Sequence, residues 1–339
     1  MMPRRQPLII NKTVQKAFAL VLVLWILSLL TIMAGSFALT MRRESTIVAG
    51  IKDNAGAVAA AEAGIAFAEL MLLNPEPNKR WRADGSVYQV DFGATYVRVK
   101  LVSESGKIDI NKAGLPMLQA LFANSPADEE LQGKLVGAIM DWRDPDNLIN
   151  LNGAEKDQYK REGLKYGPRN KPFQSLEELQ MVLGMDANIY NWLEPVVTIY
   201  SGKPQVNIKL ATPKVLNILP GLDAGLIDGF ITARLESARN DLPVPEFTGG
   251  LAGIGNSGGD GGAVTMISEA HMPDASSAIV VATVIKGDIG DDLLPDETDL
   301  SAPYAVLKWE RNPVNEDSLF SVEMTDFLVK HHAEPELSD

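Results

Sequence analysis

The sequence predicts an α+β fold in which a long N-terminal helix packs on an antiparallel sheet and a large helical domain is inserted between the strands. Three observations predict it. An apolar run near the start continues, with no proline, into an alanine-rich amphipathic stretch. Short segments of alternating polarity follow and recur near the C-terminus. Between these two strand regions the hydrophobic spacing changes from two residues to three or four.

The apolar run lies between Ala17 and the first charge, Arg42. About 25 residues suffice to cross a bilayer core, and a cleaved secretory core is about half as long. Arg4, Arg5, Lys12 and Lys16 precede it with no acidic residue. Positive flanks stay cytoplasmic, so the body belongs across the membrane. After Arg42-Arg43-Glu44 the chain reads "STIVAGIKDNAGAVAAAEAGIAFAELMLLN", with no proline before Pro75. One continuous helix is expected from about Phe18 to Leu73, roughly 80 Å at 1.5 Å per residue. Gly50, Gly56 and Gly64 weaken it by up to about 1 kcal/mol each relative to alanine.

"SVYQVDF" and "TYVRVKLVSES" read as strands joined by a turn at Phe92-Gly93-Ala94. From "GKIDINKAGLPMLQALF" to about Arg239 the pattern is helical, through "DEELQGKLVGAIMDW", "SLEELQMVL", "DANIYNWLEPVV" and "PGLDAGLIDGFITARLESARN". "KIDINKAGLPMLQALF" and "QVNIKLATPKVLNILPGL" echo each other, which suggests two helical subdomains of related design. A glycine-rich loop follows. Strand patterns then return in "SAIVVATVIKG", "APYAVLKWER" and "SLFSVEMTDFLV", ahead of a frayed tail, "HHAEPELSD".

Composition narrows the function. The 339 residues carry a net charge of -13 although the leading segment is basic, so the exported body is more acidic still. Such a surface repels phosphate backbones. The segment "LPGLDAGLIDGFITAR" resembles a helix-hairpin-helix, whose turn amides bind phosphate, but Asp223 follows its Pro-Gly turn. Nucleic acid is therefore not expected as a partner. The absence of cysteine excludes disulfides, thiolate catalysis and Cys-based zinc sites. Its three histidines are His271, in an expected loop, and His331-His332 near the C-terminus, and no Walker or HExxH pattern is present. An enzyme is not expected.

One segment is chemically dense: "DWRDPDNLINLNGAEKDQYKREGLKYGPRNKPFQSLEEL". Asp144 and Asp146 flank Pro145 after a helix, and Glu155 and Asn170 follow at a distance. Paired hard oxygens in a loop are how a chain begins to cage Ca2+, which takes six to eight oxygens. Helix capping and turn chemistry by Asp and Asn account for the same residues.

The chain resembles the minor pseudopilins called protein K of the type II secretion system. The resemblance rests on "ALVLVLWILSLL", "SESGKIDINKA", "DWRDPDNLINLNGAEKDQY", "PRNKPFQSLEELQMVLGM" and "VTIYSGKPQVNIKLATPKVLNILPGL". It covers the anchor and nearly all of the helical block; the C-terminal strands match only in general pattern. It implies a pilin-like fold with six regions. These are a prepilin-type leader at 1–17, a transmembrane and long helix at 18–73, and first strands at 74–105. Two inserted subdomains of SAM-like or helix-hairpin-helix-like design follow at 106–200 and 201–246, then the loop and C-terminal strands at 247–339.

Several functional expectations come with the resemblance. It implies calcium in the insertion, held by Asp144, Asp146, Glu155 and Asn170. It implies cleavage by prepilin peptidase between Ala17 and Phe18 and N-methylation of Phe18. Phe18 suits that junction, whereas Ala17 departs from the usual glycine. Leu22, fifth in the mature chain, stands where most pilins carry a glutamate that pairs with a neighbour's N-terminal amine. A tip subunit has no neighbour above it to supply that amine. The implied function is to cap the tip of a periplasmic pseudopilus with other minor pseudopilins and help initiate its assembly for protein export. The implied location is the bacterial inner membrane, single-pass, with the globular part in the periplasm. The alternatives are a tip minor pilin of a type IV pilus and a membrane-tethered DNA-uptake receptor.

Overall fold

The computed structural model describes residues 13–247, 249, 262–287, 303–314 and 316–333. Residues 1–12 of the expected leader, the glycine-rich loop at 250–261 and the expected tail from 334 lie outside them. Two compact units are present, Met1–Ala55 and Gly56–Asp339.

Helix α1, Thr13–Leu72, contributes to both units. It begins earlier than expected because residues 13–17 hold neither proline nor glycine. In the first unit the apolar side chains from Phe18 to Ile51 are exposed, and the helix is long and apolar enough to cross a membrane. Ser28 and Thr31 donate to the carbonyls of Leu24 and Leu27, each at 2.8 Å. These hydroxyls are thus satisfied within the helix, as a lipid environment requires.

In the second unit β1, Asp84–Phe92, and β2, Thr95–Ser103, form an antiparallel hairpin. The helical block then begins with β3, Ile108–Asp109, α2, Leu115–Ala123, and α3, Glu129–Arg143. It continues through α4, Lys156–Arg161, α5, Ala187–Leu193, β4, Val197–Thr198, α6, Pro213–Ile218, and α7, Ala224–Arg239. "SLEELQMVL" forms a 3-10 turn at Leu176–Met181. Local signals start these helices. Asp128, Asp186, Thr212 and Asp223 cap α3, α5, α6 and α7 by accepting from first-turn amides. The two echoed segments share an Asx turn: Asp109 Oδ1 accepts from Asn111 N–H at 2.8 Å and Asn207 Oδ1 from Lys209 N–H at 3.1 Å. One buried cluster runs through the whole block, from Ile108 to Phe230.

The chain then returns to the first sheet with β5, Val264–His271, β6, Ser277–Lys286, and β7, Tyr304–Arg311. His271 thus ends a strand rather than lying in a loop. Helix α8, Val322–Asp326, and β8, Leu328–Ala333, follow. The sheet order is β7-β6-β5-β2-β1-β8. Two expectations need correction. The sheet is antiparallel except at one edge, where β8 runs parallel to β1. The segment "SLFSVEMTDFLV" is not one strand, because Ser321 accepts from Met324 N–H at 3.3 Å and starts α8.

The last turns of α1 bury Ala57, Ala61, Ile65 and Ala68, spaced by three and four. The sheet face holding Val97, Val99, Leu101, Met266 and Ala282 joins Ala61, Ile65 and Ala68 in one core. Gly64 is required here: a Cβ on it would stand 2.7 Å from Val97 Cγ1 and collide with Ser268 Oγ. Arg234 of α7, buried, joins the helical block to the sheet. It donates to Ala211 O at 2.8 Å and Asp84 O at 3.1 Å, with the Asp84 carboxylate at 3.4 Å from Nε.

Candidate metal centre

The densest group of carboxylates lies where α3 ends. Arg143 fastens that end by donating to Ile110 O at 2.5 Å and Ala113 O at 2.6 Å. The loop after it folds back onto the helix: a Cβ on Gly137 would stand 2.6 Å from Leu151 O and Gly153 N. That close approach brings the loop over Asp141, which is fully buried. Asp141 Oδ1 accepts from Asn150 N–H at 2.9 Å and Asn150 Nδ2 at 2.6 Å. The same Nδ2 reaches Asp144 Oδ2 at 3.1 Å. Asp146 Oδ1 accepts from Leu148 N–H at 2.7 Å, an Asx turn.

Glu155 heads α4 and is 7% exposed. Its N–H donates to Gln158 Oε1 at 3.1 Å. Asn170 arrives from further along the chain. Phe173 stacks on Trp142 at 5.9 Å and exchanges two hydrogen bonds with the Asn111 side chain, at 2.7 and 2.9 Å. Asn170 itself adopts a φ of 55°, tolerable for Asn. Its amide donates to Asp146 O and, at 3.1 Å, to Asn147 Oδ1. It reaches the rim of the loop through its nitrogen.

Four buried carboxylate oxygens lack a hydrogen bond of ordinary geometry: Asp141 Oδ2, Asp144 Oδ1 and both oxygens of Glu155, whose side chain faces the first-turn amides of α4 only as a loose cap. Stranding charged acceptors in this way is costly. The titration of Asp144 and Glu155 reflects it. Burial, then the charges of Asp146 and Asp141, pushes the Asp144 carboxyl above its ordinary range. Burial, then the charges of Asp141, Asp144 and Asp146, does the same to Glu155. Among the described residues no three acidic or histidine side chains stand close enough together to hold a metal ion as placed. The donor chemistry nevertheless fits a hard cation: all oxygen, several charges, and acceptors left over. The sequence points to Asp144, Asp146, Glu155 and Asn170, but misses Asp141 and Asn150. Asp141 lies three residues before Asp144, one helical turn away, and that spacing is its only sequence signal.

The helix-hairpin-helix-like turn is differently arranged. Asp223 Oδ1 accepts from Gly225 and Leu226 N–H at 2.9 and 3.2 Å, so the chain's own carboxylate takes the amides a phosphate would use. At the other end of the chain, Ala17 lies within α1, and Phe18 and Leu22 are exposed on its apolar stretch.

In the second unit, helix turns packed on a mostly antiparallel sheet, with a helical block inserted between its strands, make a pilin-like fold. The family model for type II secretion system (T2SS) protein K matches residues 99–202, from β2 through most of the block. Type II secretion system protein K of Klebsiella pneumoniae is 28% identical over 228 residues, 61% of this chain and 70% of that protein. Its counterpart in Aeromonas hydrophila is 28% identical over 235 residues, 61% and 71%. A chain of the GspK-GspI-GspJ complex crystal structure from enterotoxigenic Escherichia coli aligns with a TM-score of 0.45 and 14% identity. That alignment covers 80% of this chain and 99% of the other. Over the helical block, then, the chain is similar to the protein K subunits of type II secretion systems.

Proposed function

We propose that this chain is a minor pseudopilin of type II secretion that caps the tip of the periplasmic pseudopilus. It works by packing, without catalysis, alongside other minor pseudopilins, and helps initiate pseudopilus assembly for protein export. The observation that carries the reading is the protein K match over residues 99–202, which falls on the helical block that sets this chain apart from a plain helix-and-sheet pilin. Two features support the tip position. A block with its own core from Ile108 to Phe230 adds bulk that a filament wall would have to exclude. Leu22 replaces the glutamate that subunits within a filament use to pair with a neighbour's amine.

In this reading the basic N-terminal flank stays in the cytoplasm, α1 anchors the chain in the inner membrane, and the globular unit lies in the periplasm. Prepilin peptidase cuts between Ala17 and Phe18 and Phe18 is methylated. Deleting the chain from its host should stop export through the type II channel, and restoring it should restore export. Normal export without it would contradict the reading.

Calcium is the proposed ligand of the loop at the end of α3. Asp144, Asp146 and Glu155 would supply oxygens, the orphaned Oδ2 of Asp141 adds a fourth side chain, and Asn170 would join them with its amide turned so that the oxygen faces the loop. The ion would neutralise a cluster that now repels itself and hold a long loop in a chain with no disulfide.

A further inference from the structure

The loop that carries these acids also displays an apolar tip. Leu148, Ile149 and Leu151 are 75%, 52% and 89% exposed, three large aliphatic side chains within four residues. Large aliphatic groups so placed on a loop contribute nothing to the fold's core, and together they mark a contact surface. On one side the loop borders a cleft shared by Asn147, Lys156, Lys160, Lys165 and Tyr166. On the other it borders a cleft where Leu151 stands with Leu115 and Met140.

On its C-terminal side the tip meets a charge opposite to that of the chain, whereas Asp141, Asp144 and Asp146 precede it. Residues 156–171 hold Lys156, Lys160, Arg161, Lys165, Arg169 and Lys171 against Asp157 and Glu162, within a chain of net charge -13. Arg169 pairs with Glu178. The other five cations are exposed and enter no ion pair among the described residues. Exposed aliphatic groups on one loop, a lysine and arginine collar, and a tyrosine at their boundary match the layers of an anionic bilayer surface. Acyl chains take the aliphatic tip, phosphates take the cations, and the headgroup level suits the amphipathic ring. The same chain carries a helix long and apolar enough to cross a membrane, so before assembly a bilayer is present at high effective concentration.

We infer that the loop Asn147–Asn152 and its basic collar form a contact site for anionic phospholipid, with Leu148, Ile149 and Leu151 entering the acyl region. The site needs no shape-matched partner, and an acidic protein surface, which would supply charge alone, leaves the three aliphatic groups in water.

The chain has no cysteine, so Leu151→Cys accepts a single environment-sensitive fluorophore at a position whose side chain packs on little. The full chain is reconstituted in vesicles of phosphatidylcholine with brominated acyl chains, with and without phosphatidylglycerol. A second label at exposed Thr232 of α7 serves as the control. Phosphatidylglycerol should quench label 151 and leave label 232 bright, and high salt should reverse the quenching. Substituting Lys156, Lys160 and Lys165 by alanine should lower the partition by about fivefold per lysine as the phosphatidylglycerol fraction is titrated. Equal quenching in calcium and in EGTA would support the lipid contact while separating it from the calcium reading. A label at 151 that stays bright in phosphatidylglycerol overturns the inference, whether it reads as water-exposed or as covered by a protein in native membranes.

Discussion

Calcium should raise the melting temperature of the detergent-solubilised chain, and EGTA should lower it. A ligand that binds only the folded form stabilises it by RT ln(1+[L]/Kd), about 2.7 kcal/mol at a hundredfold excess over Kd. For a unit the size of Gly56–Asp339 that corresponds to roughly 4–5 °C. Without the ion, four buried carboxylate oxygens on Asp141, Asp144 and Glu155 lack a hydrogen bond of ordinary geometry. Asp144 and Glu155 hold their protons above the ordinary carboxylate range. A carboxyl whose folded pKa is raised stabilises the fold fully below its unfolded pKa, and that contribution is lost as pH rises through the folded one. Metal-free protein should therefore lose stability as pH climbs from the ordinary carboxylate range through those raised values. The calcium shift should grow over the same interval, since the ion competes with protons.

Asp141→Asn sharpens the test because its two effects differ in sign. In EGTA it relieves the repulsion felt by Asp144 and Glu155 while keeping an acceptor for Asn150, so melting should stay level or rise. In calcium it removes a ligand charge, so the shift should shrink. Asp146→Ala should also shrink the shift, whereas a purely capping role would cost about 1 kcal/mol with or without calcium. Magnesium should substitute poorly, since it demands a tighter octahedron. Near-ultraviolet circular dichroism can follow the melt. Identical curves in calcium and EGTA, or an Asp141→Asn penalty equal in both, would refute the metal site.

Other outcomes follow from the same account. Mature protein should begin at N-methylated Phe18, with Ala17→Gly processed faster and Ala17→Leu blocked; intact mass after co-expression with the peptidase reads this, and a start at Met1 or beyond Met33 would contradict it. Leu22→Glu should place an unpaired carboxylate at the top of the rod bundle, costing several kcal/mol or forcing protonation, so pseudopili should initiate poorly while the globular unit stays folded by circular dichroism. Gly64→Val should force α1 off Val97 and Ser268, destabilising the unit by about 1–3 kcal/mol; a denaturant midpoint unchanged from the parent would mean the helix does not need that close approach.

The elements that a period of hydrophobicity defines were readable before any coordinates. The rod, the β1–β2 hairpin with its turn at Gly93, and α3 and α7 with their Asp caps all carry local signals. What stayed hidden depends on contacts distant in sequence. Gly64 reads as a weak point of a helix until Val97 and Ser268 are seen against it. The parallel pairing of β8 follows from the turn that Ser321 starts, which breaks an alternating segment in two and lets the chain return in the other direction. Asp141 looks like one more polar residue in a helix until Asn150 and Gly153 fold over it. The Asp-Pro-Asp turn thus marks the candidate site in the sequence, whereas nothing local marks its most buried acid. Asn170 was readable as a neighbour of the loop, but its amide nitrogen, rather than its oxygen, faces Asp146 and Asn147.

The central claim, that this chain is a tip subunit working among other minor pseudopilins, has one direct test. The full chain, tagged at its C-terminus and expressed with the remaining minor pseudopilins of its own secretion system, is purified from membranes and its companions are identified and counted. The account predicts that two other minor pseudopilins co-purify in fixed proportion, one copy of each per copy of this chain. Purification of the chain alone, or in long repeats of itself, would contradict it.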